Sequence, residues 1–330
     1  MKLSILEQST LSEAGSGAEA IRNTLRVARL ADELGYERLW LSEHHNLPIL
    51  QGSAPEVLLA ALGAATRRIR IGSGGIMLPN FSAYKVAEVF RVLEALYPGR
   101  VDCGVGRASG GNRAATALLA ASGRPEFPAQ LAELQHFLQD ADPRAVATPV
   151  TPAAPPLWLL SAGSHPDSGR LAAERGMGLA VALFINPDAT RVAVERYRAA
   201  FRPSPEMPEP RVLLALNLVT AATPARLARV QKASDHFRLM RDSGHYPSAV
   251  PAPQTLERIR FTPDQQAYLA RISNREVSGL PGEVAEKVAA RLAAYDADEA
   301  MLAMMTHDLD DKLEALRLLA DHVMGVKADA

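Results

Sequence analysis

The chain has 330 residues, 48% of them hydrophobic, with 36 Lys and Arg against 37 Asp and Glu. That balance offers no basic surface for nucleic acid or an anionic membrane, and no apolar run reaches the roughly 20 residues of a membrane span. Cys103 is the only cysteine, which excludes an internal disulfide and, with no signal-peptide pattern in Met1 to Glu7, predicts a cytoplasmic protein.

Lys2 to Leu6 reads as a first strand, and Ala18 to Leu34 as a helix with Ile21, Leu25, Ala28 and Ala31 on one face, closed by Gly35. Glu37 to Ser42 is the second strand, 54–65 a helix and 69–73 the third strand. Ala83 to Tyr97 is helical and ends at Pro98-Gly99, before a fourth strand, Arg100 to Gly104. Helical pieces are predicted at 113–121 and 127–139, then a proline-rich extended connection over 141–156. Leu157 to Leu160, Gly178 to Phe184, Arg211 to Val219 and Glu299 to Met305 are strands five to eight. Helices at Asp167 to Arg175, Pro187 to Phe201, Pro224 to Met240, Pro281 to Ala294 and Leu309 to Met324 lie between and after them.

Residues 241–280 break this rhythm, with no clear strand. They read as an irregular excursion between strands seven and eight, part helix, covering the top of the site. Eight strand–helix alternations predict a closed (β/α)8 TIM barrel, and 1–330 reads as a single domain, since α/β barrels commonly exceed the usual domain length.

In such a barrel the loops after the strands form the working face. Glu43-His44-His45 follows strand two, Ser73-Gly74-Gly75 follows strand three and Arg107 follows strand four. Adjacent strand residues face opposite ways, so one imidazole can enter the barrel mouth while its neighbour turns aside. Such an imidazole, titrating near neutrality, could pass a proton to a bound intermediate, or be structural. A metal site would need further ligands; Asp102, His165 and His307 exist, but none at ligand spacing. Gly74 and Gly75 offer bare backbone to a flat ligand, or an ordinary turn. Arg107 suits a phosphate. Gly163-Ser164-His165-Pro166-Asp167-Ser168 opens a helix whose N–H groups and hydroxyls could bind an anion, or simply cap it. Cys103 and Met301, Met304 and Met305 read as core.

Several of these stretches together resemble the bacterial luciferase-like flavin monooxygenases along nearly the whole chain. They are Leu39-Trp40-Leu41-Ser42-Glu43-His44-His45, Ile71-Gly72-Ser73-Gly74-Gly75-Ile76-Met77-Leu78-Pro79 and Leu93-Glu94-Ala95-Leu96-Tyr97-Pro98-Gly99-Arg100, followed by Gly104-Val105-Gly106-Arg107 and Leu171-Ala172-Ala173-Glu174-Arg175-Gly176. The resemblance implies a (β/α)8 barrel that takes reduced FMN (FMNH2) from a separate flavin reductase, with NAD(P)H used only indirectly. O2 is the implied co-substrate, a flavin C4a-peroxide the oxygenating species, a small organic molecule the substrate and a homodimer the assembly.

By the same resemblance His44 is the catalytic histidine, and Gly74-Gly75, beside Ser73, forms a cis peptide behind the flavin ring. Arg107 with Gly163, Ser164, His165 and Ser168 would hold the phosphate. The chain departs from true luciferases in a shorter 108–156 segment, in Gly106 at the reactive-cysteine position and in the 241–280 excursion, so light emission from a long-chain aldehyde is not expected. Three other readings stay open from the residues: a deazaflavin (F420)-dependent oxidoreductase, a metal-dependent barrel hydrolase using Glu43, His44 and His45, and a flavin-binding protein without turnover.

Overall fold

Alternation of side chains along each strand decides how this molecule packs. The computed structural model describes residues 1–119, 125–163, 165 and 167–325. In chain order its strands are β1 (Leu3–Glu7), β2 (Arg38–Leu41), β3 (Arg70–Ser73), β4 (Ile76–Met77), β5 (Val101–Gly106), β6 (Leu157–Ser161), β7 (Gly178–Ala182), β8 (Val212–Thr220), β9 (Glu276–Gly279) and β10 (Glu299–Ala303). Eight of them close a parallel ring, β1-β2-β3-β5-β6-β7-β8-β10, because β10 pairs with both β8 and β1. This is the expected (β/α)8 barrel.

The helices wrap the outside: α1 (Gly17–Glu33), α2 (Pro55–Ala65), α3 (Ala83–Leu96), α4 (Arg113–Leu119), α5 (Phe127–Leu138), α6 (Ser168–Glu174), α7 (Pro187–Ala200), α8 (Pro224–Asp242), α9 (Pro253–Arg258), α10 (Pro263–Arg271), α11 (Pro281–Ala294) and α12 (Leu309–Leu319). Their starts follow local chemistry. Ser16 accepts the Glu19 amide at 3.2 Å, Asn186 accepts the Ala189 amide at 3.1 Å ahead of Pro187, and Thr223 does the same for Arg226 at 3.3 Å ahead of Pro224. The last two residues predicted for the 113–121 helix lie outside the described residues.

Period-two alternation splits the core in two. Leu3, Ile5, Leu39, Ile71 and Val101 face outward against the helices, whereas Leu6, Trp40, Trp158, Leu213 and Met301 fill the inside of the ring. Trp40 and Trp158 meet edge to face at 5.4 Å. The glycines opposite make room for them: a Cβ on Gly72 would lie 2.6 Å from Trp40 Nε1, and one on Gly178 would lie 2.3 Å from the Trp158 ring.

Below the tryptophans, at the N-terminal end of the ring, sits a buried ionic plug. Asp102 accepts from Arg38 Nη1 at 2.7 Å, Arg70 Nη2 at 2.5 Å and Trp40 Nε1 at 3.0 Å, and Arg38 Nε also reaches Glu299 at 2.8 Å. Burial pushes the Asp102 carboxyl up, but Arg38 and Arg70 outweigh it and hold it below its ordinary value.

The 241–280 excursion differs from expectation in two ways. It contains a strand, β9, which continues the sheet beside the far end of β8 from Asn217 to Thr220. Its apolar residues Val250 and Leu256 pack on Ile49, Leu50 and Phe237, so it braces the loop after β2 and does not cover the site. Cys103 is fully buried, and burial raises its thiol well above the ordinary value, as befits packing. Among the described residues no helix is long and apolar enough to cross a membrane.

The plug yields a stability test. Asp102→Ala leaves two guanidinium groups facing the barrel interior without their shared carboxylate, a change expected to cost about 3–5 kcal/mol. Urea unfolding measures it, and a loss under about 1 kcal/mol would mean that the plug carries no weight.

Candidate active site

Above the tryptophans the interior positions become small, and a cavity of about 270 Å³ opens at the C-terminal ends of the strands. Its floor is apolar, formed by Leu6, Trp40, Leu160, Ala215 and Met301, and its rim is polar, with Gln8, Ser42, His44, Arg107 and Ser168. A small-molecule site typically starts near roughly 300 Å³ and combines apolar walls with a few polar groups. A larger hollow of about 550 Å³ lies between the β1–α1 loop and the start of α12, but carboxylates from Glu13, Glu19, Asp308 and Asp310 dominate it. The smaller cavity holds the residues singled out by sequence.

His44 and His45 part as the alternation requires. His44 lines the cavity, with its Nδ1 3.1 Å from Ser42 Oγ, and its Nε2 has no hydrogen-bond partner among the described residues. His45 turns away, placing Nε2 2.7 Å from Glu43 Oε1. The expectation of an imidazole titrating near neutrality is corrected. Burial, with neighbouring His45 adding to it, pushes His44 down to about 4, so the ring is neutral at physiological pH.

The Gly74–Gly75 peptide is cis, and Gly74 lines the cavity. A Cβ on Gly74 would lie 2.8 Å from Leu6 Cδ1 and 3.1 Å from Trp40 Cβ, intruding on the floor. Bare backbone is therefore a steric requirement there. Ser73 does not reach the cavity. It is fully buried and spends its hydroxyl on Gly104, donating to the carbonyl at 2.6 Å and accepting the amide at 3.1 Å. That is a strand-to-strand tie, and it corrects Ser73 as a ligand contact.

Arg107 lines the cavity with its guanidinium 4.9 Å from the Phe127 ring centroid. It makes no hydrogen bond or ion pair to any described residue, so its donors are free for an anion. On the far side His165 and Ser168 line the cavity, while Ser164 and Pro166 lie outside the described residues. Gly163 is not in the wall. It stands at φ +79°, where a Cβ would come 2.5 Å from Ala189 Cβ, so it serves the passage of the β6 loop past α7. The N-cap of α6 is Asp167, whose side chain makes no cap hydrogen bond and pairs with Arg196 at 3.1 Å, while the Ser168 amide donates to the His165 carbonyl at 3.1 Å.

The metal-hydrolase residues do not converge. Glu43 holds His45, His44 faces Ser42, Asp102 sits in the plug and His307 pairs with Asp308 at 2.8 Å. Among the described residues no group of three His, Cys, Asp or Glu could hold a metal ion. Sequence reasoning missed Gln8, Ser42 and Met77 in the wall. The period-two signal could have found the first two, since Gln8 follows Leu6 and Ser42 follows Trp40 on the inward face.

The profile of the luciferase-like monooxygenase family matches residues 1–298. YwcH of Bacillus subtilis (strain 168) is 40% identical over 97% of this chain and 98% of its own length. N-acetyl-S-alkylcysteine monooxygenase of the same organism is 34% identical over 99% of each chain. Among solved structures, apo-MsnO8 shares 36% identity and superposes with a TM-score of 0.90 over 99% of both chains. More distant neighbours share the fold alone. They include the oxygenating constituent of 3,6-diketocamphane monooxygenase from Pseudomonas putida in complex with FMN (18% identity, TM-score 0.70, 99% of each chain) and an F420-dependent secondary alcohol dehydrogenase (14%, TM-score 0.67, 99% of this chain and 100% of the other).

Burial of His44 has a direct spectroscopic consequence. In the ligand-free protein its imidazole proton resonances should stay unshifted from pH 8 down through its ordinary value of 6.5 and titrate with a midpoint near 4. An NMR titration giving a midpoint near 6.5 would contradict the buried, neutral assignment.

Proposed function

The chain belongs to the luciferase-like monooxygenase family, and on that premise we propose that it uses reduced FMN and O2 to oxygenate a small organic molecule. One observation carries the reading: His44, the bare Gly74 backbone and the Arg107 guanidinium line a single cavity over an apolar floor. The residues fit a flavin. Gly74 leaves a flat surface that a side chain would fill, and Arg107 stacks on Phe127 with no hydrogen bond or ion pair among the described residues. Arg107 with the His165–Ser168 side would hold the phosphate. Gly74–Gly75 would back the ring.

Bound reduced FMN would supply the oxygen activation, and the protein supplies orientation, dryness and a proton site. A neutral imidazole in an apolar wall takes a proton only where negative charge builds beside it, and Ser42 on Nδ1 fixes the ring's orientation. The floor of Leu6, Trp40, Leu160 and Met301 gives the reacting face an apolar bed. As the family resemblance implies, reduced flavin would come from a separate reductase, which uses NAD(P)H. Exposed Val57 on α2 and Val92 and Leu96 on α3 are apolar side chains that support a homodimer, for which light scattering should give twice the chain mass. The name of the alkylcysteine relative supports a small organic substrate.

A deazaflavin would use the same cationic side of the cavity, so the cofactor is tested directly. Anaerobic titration should show reduced FMN binding to the wild type, and Arg107→Ala should weaken FMN by about tenfold or more while leaving riboflavin unchanged. Equal losses for both ligands would remove the phosphate role. Binding of reduced F420 alone would replace FMN in the proposal. His44→Ala should keep FMN binding, lower product yield per reduced flavin by about 10²-fold or more and raise hydrogen peroxide release. Unchanged coupling in that variant would take His44 out of the reaction.

A further inference from the structure

Glu43 is 1% exposed; the residue lies in the cavity wall with its carboxylate buried behind it. Oε1 accepts from His45 Nε2 at 2.7 Å and Asn80 Nδ2 at 3.2 Å, and Oε2 accepts the Met77 amide at 2.9 Å. Two of those partners reach further. Asn80 Nδ2 also donates to the Ser109 carbonyl at 3.0 Å, and the His45 amide donates to the Gly110 carbonyl at 2.9 Å. One carboxylate thus touches the chain leaving β2 and β4 directly and the loop after β5 through one intermediary. Those segments carry His44, Met77 and Arg107.

The fold does not ask for this arrangement. The ring closes through its own ladder, and the ionic plug lies at its opposite end. A buried carboxylate is costly unless donors saturate it, and here the donors come from loops more than thirty residues from Glu43 in sequence, apart from His45. What this costly group secures is the relative placement of loops at the cavity.

We propose that Glu43 is a positioning residue, which ties the segments after β2, β4 and β5 into one unit and thereby sets His44 relative to Arg107. The inference rests on the flavin reading of the cavity. Its partners Asn80 and His45 act with it, so removing Asn80 after Glu43 has gone should cost nothing more.

The test compares wild type, Glu43→Gln, Glu43→Ala, Asn80→Ala and the Glu43→Ala/Asn80→Ala double variant by amide hydrogen exchange and by turnover with reduced FMN and O2. In Glu43→Ala, exchange should rise together over 44–46, 77–80 and 108–111 while β1 and β10 stay protected. The rate constant kcat should fall by about 10- to 100-fold, more than the affinity for reduced FMN falls. Glu43→Gln keeps an oxygen for the Met77 amide and should restore most of the loss, and the double variant should match Glu43→Ala. Faster exchange confined to the Met77 segment, wild-type turnover in Glu43→Ala, or additive losses in the double variant would each overturn the proposal. Should Glu43→Ala fail to fold, Glu43→Gln and Asn80→Ala carry the same comparison. If the wild type binds no reduced flavin, the flavin reading falls, and the exchange pattern still decides whether Glu43 ties the three segments together.

Discussion

Filling the inside of a closed ring is the constraint on which the rest of this structure depends. Eight parallel strands leave a core in which two tryptophans, Trp40 and Trp158, are the largest side chains, packed with Leu6, Leu213 and Met301. The facing strands yield space by carrying glycine at 72 and 178. Under the rings, Arg38, Arg70, Asp102 and Glu299 satisfy one another in a region that water would otherwise enter. Above them the inward positions shrink to Gly74, Ala180 and Ala215, and the cavity exists because the tryptophans do not extend that far. Floor and cavity are two levels of one packing solution.

Electrostatics divides the molecule in the same way. At the bottom, each of these charges has an oppositely charged partner, and Arg38 and Arg70 hold the Asp102 carboxyl below its ordinary value. At the top, Arg107 has an aromatic ring beside it and no acid among the described residues, while His44 is stripped of charge by burial. A cation with no ion pair among the described residues and a base kept neutral are poor devices for stability, and both stand in the wall of one cavity. Such departures from self-satisfaction are the marks of a site built for something absent from the chain itself.

Much of this was legible in the sequence. Strand ends could be read because glycine and proline punctuate them, and the separation of His44 from His45 follows from period two alone. The family resemblance supplied the cis peptide at Gly74–Gly75, which no spacing argument yields. What stayed hidden depends on distant partners. β9 offers only Val277 as an apolar residue and takes its identity from pairing with β8. The excursion was expected over the site because its partners, Ile49 and Phe237, could not be known in advance. Ser73 resembles a ligand contact until Gly104 appears opposite it, and the depressed pKa of His44 is a property of burial that residue type does not encode.

The central claim is that the cavity bounded by His44, Gly74 and Arg107 is where a flavin binds. A crystal structure of the protein soaked anaerobically with FMN tests it most directly. The account predicts the ring system against the Gly74–Gly75 peptide and the phosphate on Arg107. Flavin seated instead in the acidic hollow beside Glu13 and Asp308, or with its phosphate away from Arg107, would contradict it.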